Sequence, residues 1–506
     1  MSAAPSATTS AARAAGSDKR WWVLTFLALG QLMVALDATI VNIALPTAQA
    51  DLGFSNSDRQ WVVTAYALAF GSLLLVGGRL ADQFGRKRVL LIGLVGFAAA
   101  SAVGGFATNF EMLVIARTVQ GALAALLAPT ALALLTTTFR NPAERGKAFG
   151  IFGGIAGSGA SIGLLLGGVL TEYASWRWTL FVNVAIAVLA FIGSWMLIED
   201  DGVRDRRPTD VPGTLAITLG LFSLVYGFSN AEQHGWSATA TLVFLAVGAV
   251  LLAAFVVIEA RVHNPVLPPR VVLDRNRGGA FIAMFVSAIG LFAVFLFLTY
   301  YLQATLGYSA IRSGLAFLPM TASIVVAASV GSSVLVLKVS SKILIPTGMV
   351  LGAVGLYLLS QITVDGDYLS FVLPGTVVLG LGLGLVFAPS YSLATLGVSN
   401  EDSGVASATV NAVQQVGGSI GTALFNTIAA SAAASYAASH AGQPQQLLAA
   451  GSAVHSYTVA FLLGAAVFLG GAIVSALVLR PGIPQAEEED AEHHAVTSPG
   501  GATSPV

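Results

Sequence analysis

The chain has 506 residues, of which 56% are apolar and only 10% charged, with a mean hydropathy of +0.80; ordinary soluble domains carry about 25% charged residues. Its 24 basic and 25 acidic residues nearly cancel, so bulk charge makes no case for a nucleic acid or a polyanionic partner. Cysteine is absent, which excludes disulfides, thiolate metal sites and thiol catalysis. This is the composition of an integral membrane protein.

A helix needs roughly 20 apolar residues to cross the bilayer core. Windows of that size predict an all-α protein with fourteen transmembrane helices, near 21–46, 57–77, 89–108, 112–138, 147–170, 178–198, 212–229, 238–258, 279–302, 313–337, 343–361, 371–395, 404–432 and 457–479. Residues 1–20 are Ala/Ser-rich and polar and read as a disordered tail. The apolar run that follows is too long for a signal-peptide core, so the first helix is retained. Residues 481–506, with Glu487, Glu488, Glu489, Asp490 and Glu492, read as a second disordered, acidic tail.

Lysine and arginine orient the spans. With the N-terminus in the cytoplasm, 20 of the 24 fall in cytoplasmic segments. Three lie outside (Arg59, Arg177, Arg312), and Arg117 lies within a span. One missed span would invert every later loop, so this bias places both termini inside. The Ala-rich composition suits a GC-rich bacterium, and the expected location is its cytoplasmic membrane.

Three segments recur at nearly constant offset. GASIG at 159–163 matches GGSIG at 417–421, LLAPT at 126–130 resembles VFAPS at 386–390, and Gly93 corresponds to Gly348. Helices 1–6 therefore look duplicated as 9–14, with the pair 7–8 inserted. An even number of spans per repeat makes the repeats parallel, with a substrate cavity expected between them near the midplane. The expected units are an N-terminal bundle over 21–198, linker loops and inserted helices over 199–278, and a C-terminal bundle over 279–480.

Ionisable groups inside a membrane are costly, about 2.5–3.5 kcal/mol each on insertion scales, and mark function by default. Asp37 lies fifteen residues beyond Trp22, roughly 22 Å in from the cytoplasmic side. Arg117 enters with helix 4 from the opposite side and is its natural partner. Burial favours a neutral carboxyl and a nearby guanidinium favours a charged one. A site where these two influences change between conformations loads and releases a proton. The alternative is a static buried ion pair. Asn42 on helix 1 and Gln120, one turn past Arg117, line a cavity or serve as interhelical hydrogen-bond glue. The same two readings hold for Asn411, Gln414 and Gln415 on helix 13. Tyr66, Tyr300 and Gln303 are further cavity candidates, although interfacial belts use aromatic residues as well.

The segment GGRLADQFGRKR (77–88) holds Gly78, Asp82, Gly85, Arg86, Lys87 and Arg88. Asp82 is followed at i+4 by Arg86, a spacing that pairs them and lets the acid cap a neighbouring helix end. A purely topogenic basic loop is the competing account. Helix 5 carries Gly159, Gly163, Gly167 and Gly168, a density that permits close helix approach or a bend. All six histidines fall in expected loops or the tail, no metal cluster is apparent, and no GxxxxGK[ST] phosphate loop occurs. No enzyme chemistry finds footing, and no cofactor is expected beyond an ion gradient.

At this point the residues resemble a family. GGRLADQFGRKR resembles the signature loop of the major facilitator superfamily. LDATIVNIALP (36–46), RTVQGALAALLAP (117–129), WRWTLFVNV (176–184), YLQATLGYSAIRSGLAFLP (301–319) and VASATVNAVQQVGGSIG (405–421) resemble its fourteen-helix drug:proton antiporter branch. The resemblance covers all but the tails. It implies alternating access and proton-coupled export of amphipathic drugs, dyes or antibiotics by a functional monomer. It also implies proton coupling at Asp37 and Arg117, and a conformational role for Asp82 and Arg86. Two departures stand out. Leu164 replaces the proline expected after Gly163, which weakens the inference of strict antiport, and Ala185 replaces a proline of helix 6. No acid lies mid-membrane in helices 9–13, so a monovalent cationic, zwitterionic or neutral lipophilic cargo is expected. A dedicated exporter of one endogenous antibiotic or lipid-like metabolite is the alternative. A non-transporting membrane sensor or scaffold is a distant one.

Overall fold

The computed structural model describes residues 7–55, 58, 61–139, 141–200, 210–331, 335, 338–399 and 401–482, and every regular element among them is helical. The N-terminal bundle comprises α1 (Ala7–Leu52), α2 (Trp61–Phe84), α3 (Arg86–Gly105), α4 (Phe110–Thr138), α5 (Pro142–Tyr173) and α6 (Trp178–Leu197). The inserted pair is α7 (Val211–His234) and α8 (Thr239–Glu259). Next come α9 (Arg275–Tyr300, continued by a π-turn), α10 (Leu318–Val330, led in by a short helix Ala310–Ala316) and α11 (Ser341–Leu359). The chain continues through α12 (Leu373–Thr395), α13 (Ser403–Ser439) and α14 (Gln445–Val478). Among the described residues twelve helices are long and apolar enough to cross a membrane, and thirteen if the two arms of α5 form one bent span. The remaining expected span coincides with α13, a 37-residue helix whose Gly, Ser, Asn and Gln content leaves it less apolar.

Three expectations are corrected. The helix α1 starts at Ala7, where a disordered tail was expected; Ala7, Ala11, Ala12, Ala14 and Ala15 make that polar stretch a strong helix former. The first span, expected near 21–46, does not end at Pro46, which sits inside α1 as the helix continues to Leu52. There Asp51 accepts hydrogen bonds from Trp176 and Arg177 and ties the last turn down. The segment 77–88 is hardly a loop: α2 runs to Phe84, α3 starts at Arg86, and the break is Gly85 alone, at φ +94°. A left-handed residue at this reversal favours glycine. The acidic stretch from Glu487 lies outside the described residues.

Small residues set the helix contacts, as expected where lipid removes the hydrophobic drive between helices. A β-carbon on Gly159 or Gly163 would collide with Ala35 or Thr39 of α1, and one on Gly167 would lie 2.8 Å from the Ile40 carbonyl. The recurring motif does the same in the other bundle: β-carbons on Gly417 and Gly421 would lie 2.5 and 2.6 Å from the Phe285 and Ile289 carbonyls of α9. Likewise Gly93 faces Leu127 of α4, and Gly348 faces Gly382 and Leu385 of α12. Equivalent glycines thus open equivalent seams in the two bundles. Between Gly159 and Ser161, α5 bends by 46°.

The inserted α7 packs across the line where the bundles meet. Its Ala216, Ile217 and Leu221 share one apolar cluster with Leu75 of α2 and with Val405 and Ala408 of α13. On the opposite side α5 packs directly on α10, Gly154 against Val325 and Gly157 against Ile324.

Candidate functional site

Asp37 lies mid-way along the membrane part of α1 and is fully buried. Its Oδ2 accepts from Arg117 Nη1 at 2.6 Å. Its Oδ1 accepts from Asn183 Nδ2 at 2.6 Å and from Gln120 Nε2 at 3.2 Å. Arg117 is held in turn: Nε donates to the Val62 carbonyl at 3.2 Å, Nη1 also reaches Gln120 Oε1 at 3.2 Å, and the guanidinium lies 4.4 Å over the Tyr66 ring. Gln120 donates to Ser101 Oγ at 2.6 Å. Tyr66 donates to the Val34 carbonyl at 3.4 Å. Four other helices, α2, α3, α4 and α6, thereby converge on one carboxyl of α1. Such a pair survives burial only because each charge has further hydrogen-bond partners. The Gly163 seam runs beside it, since Thr39 and Leu36 of α1 are the atoms Gly163 approaches.

The structure brings Asp37, Arg117, Gln120 and Tyr66 together, the last two in the charge network rather than along an open wall. Asn183 and Ser101 are members that sequence reasoning missed; a lone asparagine in the apolar run of α6 was the available signal. Asn42 is exposed, on α1 beyond the network.

A second constellation holds the bundles together at the face where α2 turns into α3 and α13 begins. Asp82 is 1% exposed, pairs with Arg86 Nη2 at 3.1 Å, and accepts the Gly404 N–H of α13 at 3.2 Å. The acid thus sits on the N-terminal turn of a helix in the other bundle, where exposed backbone donors and the helix dipole favour negative charge. Gly78 permits the approach, as its β-carbon would meet the Gly404 carbonyl at 2.6 Å. Lys87 donates to the Trp195 carbonyl at 3.0 Å, and Arg88 is exposed. Nearby, Arg145 of α5 donates to Thr395 of α12 at 2.9 Å.

The polar group of α13 divides. Asn411 donates to its own helix at Ser407. Gln414 accepts from Tyr391 at 3.1 Å, and the Tyr391 ring meets Phe152 of the other bundle edge-on at 6.0 Å. Gln415 lies against Gly71 of α2. Tyr300 is exposed and Gln303 half-buried at the far end of α9, away from the α13 group. Among the described residues no three His, Cys, Asp or Glu side chains group to hold a metal ion. An apolar groove of about 410 Å³ opens between α1 and α5, lined by Trp21, Leu24, Ala28, Leu32, Ile151 and Ile155; Asp37 does not line it.

Two bundles on matching seams, with a buried ion pair at mid-membrane and a charged contact between them at one face, define a polytopic membrane transporter. Residues 27–422 match the family model described as Major Facilitator Superfamily. The chain belongs to that superfamily and is a transporter, not an enzyme. It is 44% identical over 481 residues to the puromycin resistance protein of Streptomyces alboniger, covering 95% of each chain. It is 40% identical to the cephamycin export protein of Amycolatopsis lactamdurans over 81% of this chain and 85% of that one. The human organic anion transporter MFSD10 shares the fold at a TM-score of 0.58 and 14% identity, over 89% of this chain and 99% of that one.

Proposed function

We propose that the protein is a proton-coupled exporter of lipophilic small molecules working by alternating access, with Asp37 as the coupling acid. The observation that carries this reading is the buried Asp37–Arg117 pair, gathered by side chains from several helices where membrane charge is costly. When the pair's surroundings change between two states of the bundle, the carboxyl gains and loses its proton. The Asp82–Gly404 contact closes one face in the present state. We take that face as cytoplasmic, which leaves the far face as the release side. On this reading α13 also crosses, giving fourteen spans in a bacterial cytoplasmic membrane with both termini inside. The transporter acts as a monomer without a bound cofactor, driven by the proton gradient.

A narrower substrate range has its own support. The two relatives above are named for puromycin resistance and cephamycin export, which favours one endogenous antibiotic over a broad set of drugs. The deciding experiment is proton-driven uptake into everted vesicles, with ethidium and with a panel of antibiotics, in wild type and Asp37→Asn at matched protein level. Uptake that responds to inward acidity and is lost in the variant, with binding retained, is the expected result. Equal transport by both would remove Asp37 from the coupling. Response to one antibiotic alone would select the narrow reading.

A further inference from the structure

Among the described residues, every hydrogen bond to the Asp37 carboxyl comes from a side-chain donor. Arg117 holds Oδ2, while Asn183 Nδ2 and Gln120 Nε2 hold Oδ1. That shell suits the ionised form and offers no acceptor for an acid proton, and a buried O–H without an acceptor is costly. Gln120 cannot supply one by turning its amide. Its Oε1 already accepts from Arg117, and its Nε2 donates to Ser101 as well as to Asp37. Tyr66 and Thr39 spend their hydroxyl protons on α1 carbonyls.

Asn183 is different. Its side chain is fully buried, and among the described residues its Nδ2 makes one bond, to Asp37, and its buried Oδ1 has no hydrogen-bond partner. Such an orphaned carbonyl is rare in a folded interior and calls for an explanation. A half-turn about the terminal torsion of asparagine, a broad and roughly two-fold rotation, exchanges Oδ1 and Nδ2. The exchange breaks no other bond that Asn183 makes. We propose that Asn183 serves both protonation states of Asp37, donating through Nδ2 to the carboxylate and, after the amide turns over, accepting through Oδ1 from the protonated acid. The proton comes from the medium and stays on Asp37 Oδ1; no covalent bond to Asn183 forms or breaks. Asn183 is a positioning residue, and through it α6 senses the charge state of α1 without a backbone shift. This role rests on the reading of Asp37 as the coupling acid.

The test is infrared difference spectroscopy between acidic and alkaline pH on the full-length protein in lipid nanodiscs. A protonated-carboxyl C=O band that disappears in Asp37→Asn belongs to Asp37. In Asn183→Leu, which can neither donate nor accept, that band is expected at higher frequency, because the acid loses its strongest partner. Asn183→Ser, whose hydroxyl does both, is expected to return it towards the wild-type position. Proton-driven uptake falls about tenfold in Asn183→Leu, the loss that one hydrogen bond of ordinary strength produces, while dye binding is kept and Asn183→Ser recovers transport. A second measurement leaves the packing intact: with ¹³C at the asparagine amide carbonyl, the Asn183 band of the wild type, identified by its loss in Asn183→Ser, should move to lower frequency on acidification. An unmoved amide band, or the same carboxyl frequency in wild type and Asn183→Leu, overturns the proposal. If Asp37→Asn removes no carboxyl band, Asp37 does not titrate, and the coupling reading fails together with the role of Asn183.

Discussion

Replacing Asp82 with asparagine should open the face where α2 turns into α3 and α13 begins. The Arg86 pair lies within one bundle and persists in either state, so its loss does not by itself favour one of them. The Gly404 N–H bond to Asp82 Oδ1, 3.2 Å long, crosses between bundles and exists only while they are closed. Hydrogen bonds to a charged acceptor are worth about 1.5–3 kcal/mol, against roughly 0.5–1.5 for a neutral pair. The helix dipole at the start of α13 adds to that difference. Asparagine keeps the shape and a neutral bond, so the closed state loses about 1–2 kcal/mol, and the closed-to-open ratio falls by a factor of about 5–30. With no native cysteine, spin labels at Phe84→Cys and Leu273→Cys report on this face alone; both residues are exposed, Phe84 at the end of α2 and Leu273 just before α9. Double electron–electron resonance should show the short distance giving way to a longer one in Asp82→Asn. Gly404→Val, which forces a side chain into Gly78 and Asp82, should do the same. If Gly404→Val lengthens the distance and Asp82→Asn leaves it unchanged, the charge on Asp82 does not hold this face shut.

Arg117→Gln leaves a buried carboxylate without its cation, which costs about 3–5 kcal/mol; a marked fall in melting temperature and loss of transport are expected, with much of the stability regained on adding Asp37→Asn. Gly163→Val drives a side chain into Thr39 and Leu36, an overpacking worth about 1–3 kcal/mol, visible as a lower melting temperature. Gly470→Ala, also within a helix but with nothing within 4 Å of its new β-carbon, should be neutral or stabilise by up to about 1 kcal/mol.

The helix pattern was legible because lipid imposes it: each span must satisfy its own backbone, and apolar runs of the right length have few other uses. Charge was equally legible, since Asp37 and Arg117 stand out from their apolar surroundings by cost alone. What the sequence concealed were limits set by partners. The segment 77–88 reads as a loop from its glycines and charges, yet its helices persist up to the single break at Gly85, with Asp82 Oδ1 held by Arg86 and by the Gly404 N–H. Pro46 reads as a terminus, yet the turn beyond it is anchored by Trp176 and Arg177, more than a hundred residues away. Asn183 looks like any polar residue tolerated in a span until its distance to Asp37 is known.

The two bundles share their seams but not their charges. The seams set the register of α1 against α9: Gly163 approaches Leu36 as Gly421 approaches Ile289, so Asp37 corresponds to Gly290, and at the offset of 260 Arg117 falls on Val377. Gly290 has no side chain to titrate and packs against Phe468 of α14. The glycine seams are therefore common to both bundles, whereas the buried ion pair belongs to one of them. On the proposed reading, a cargo between the bundles does not touch Asp37, because the carboxyl is fully buried within the N-terminal bundle. The two are then coupled through the arrangement of that bundle: cargo that favours one arrangement shifts the proton's equilibrium at Asp37, and the proton shifts the cargo's by the same factor, as linkage requires. Substitutions at Asp37 should change whether protons drive transport and leave cargo binding in place. Loss of cargo binding in Asp37→Asn at matched protein level would put the carboxyl in the cargo site instead.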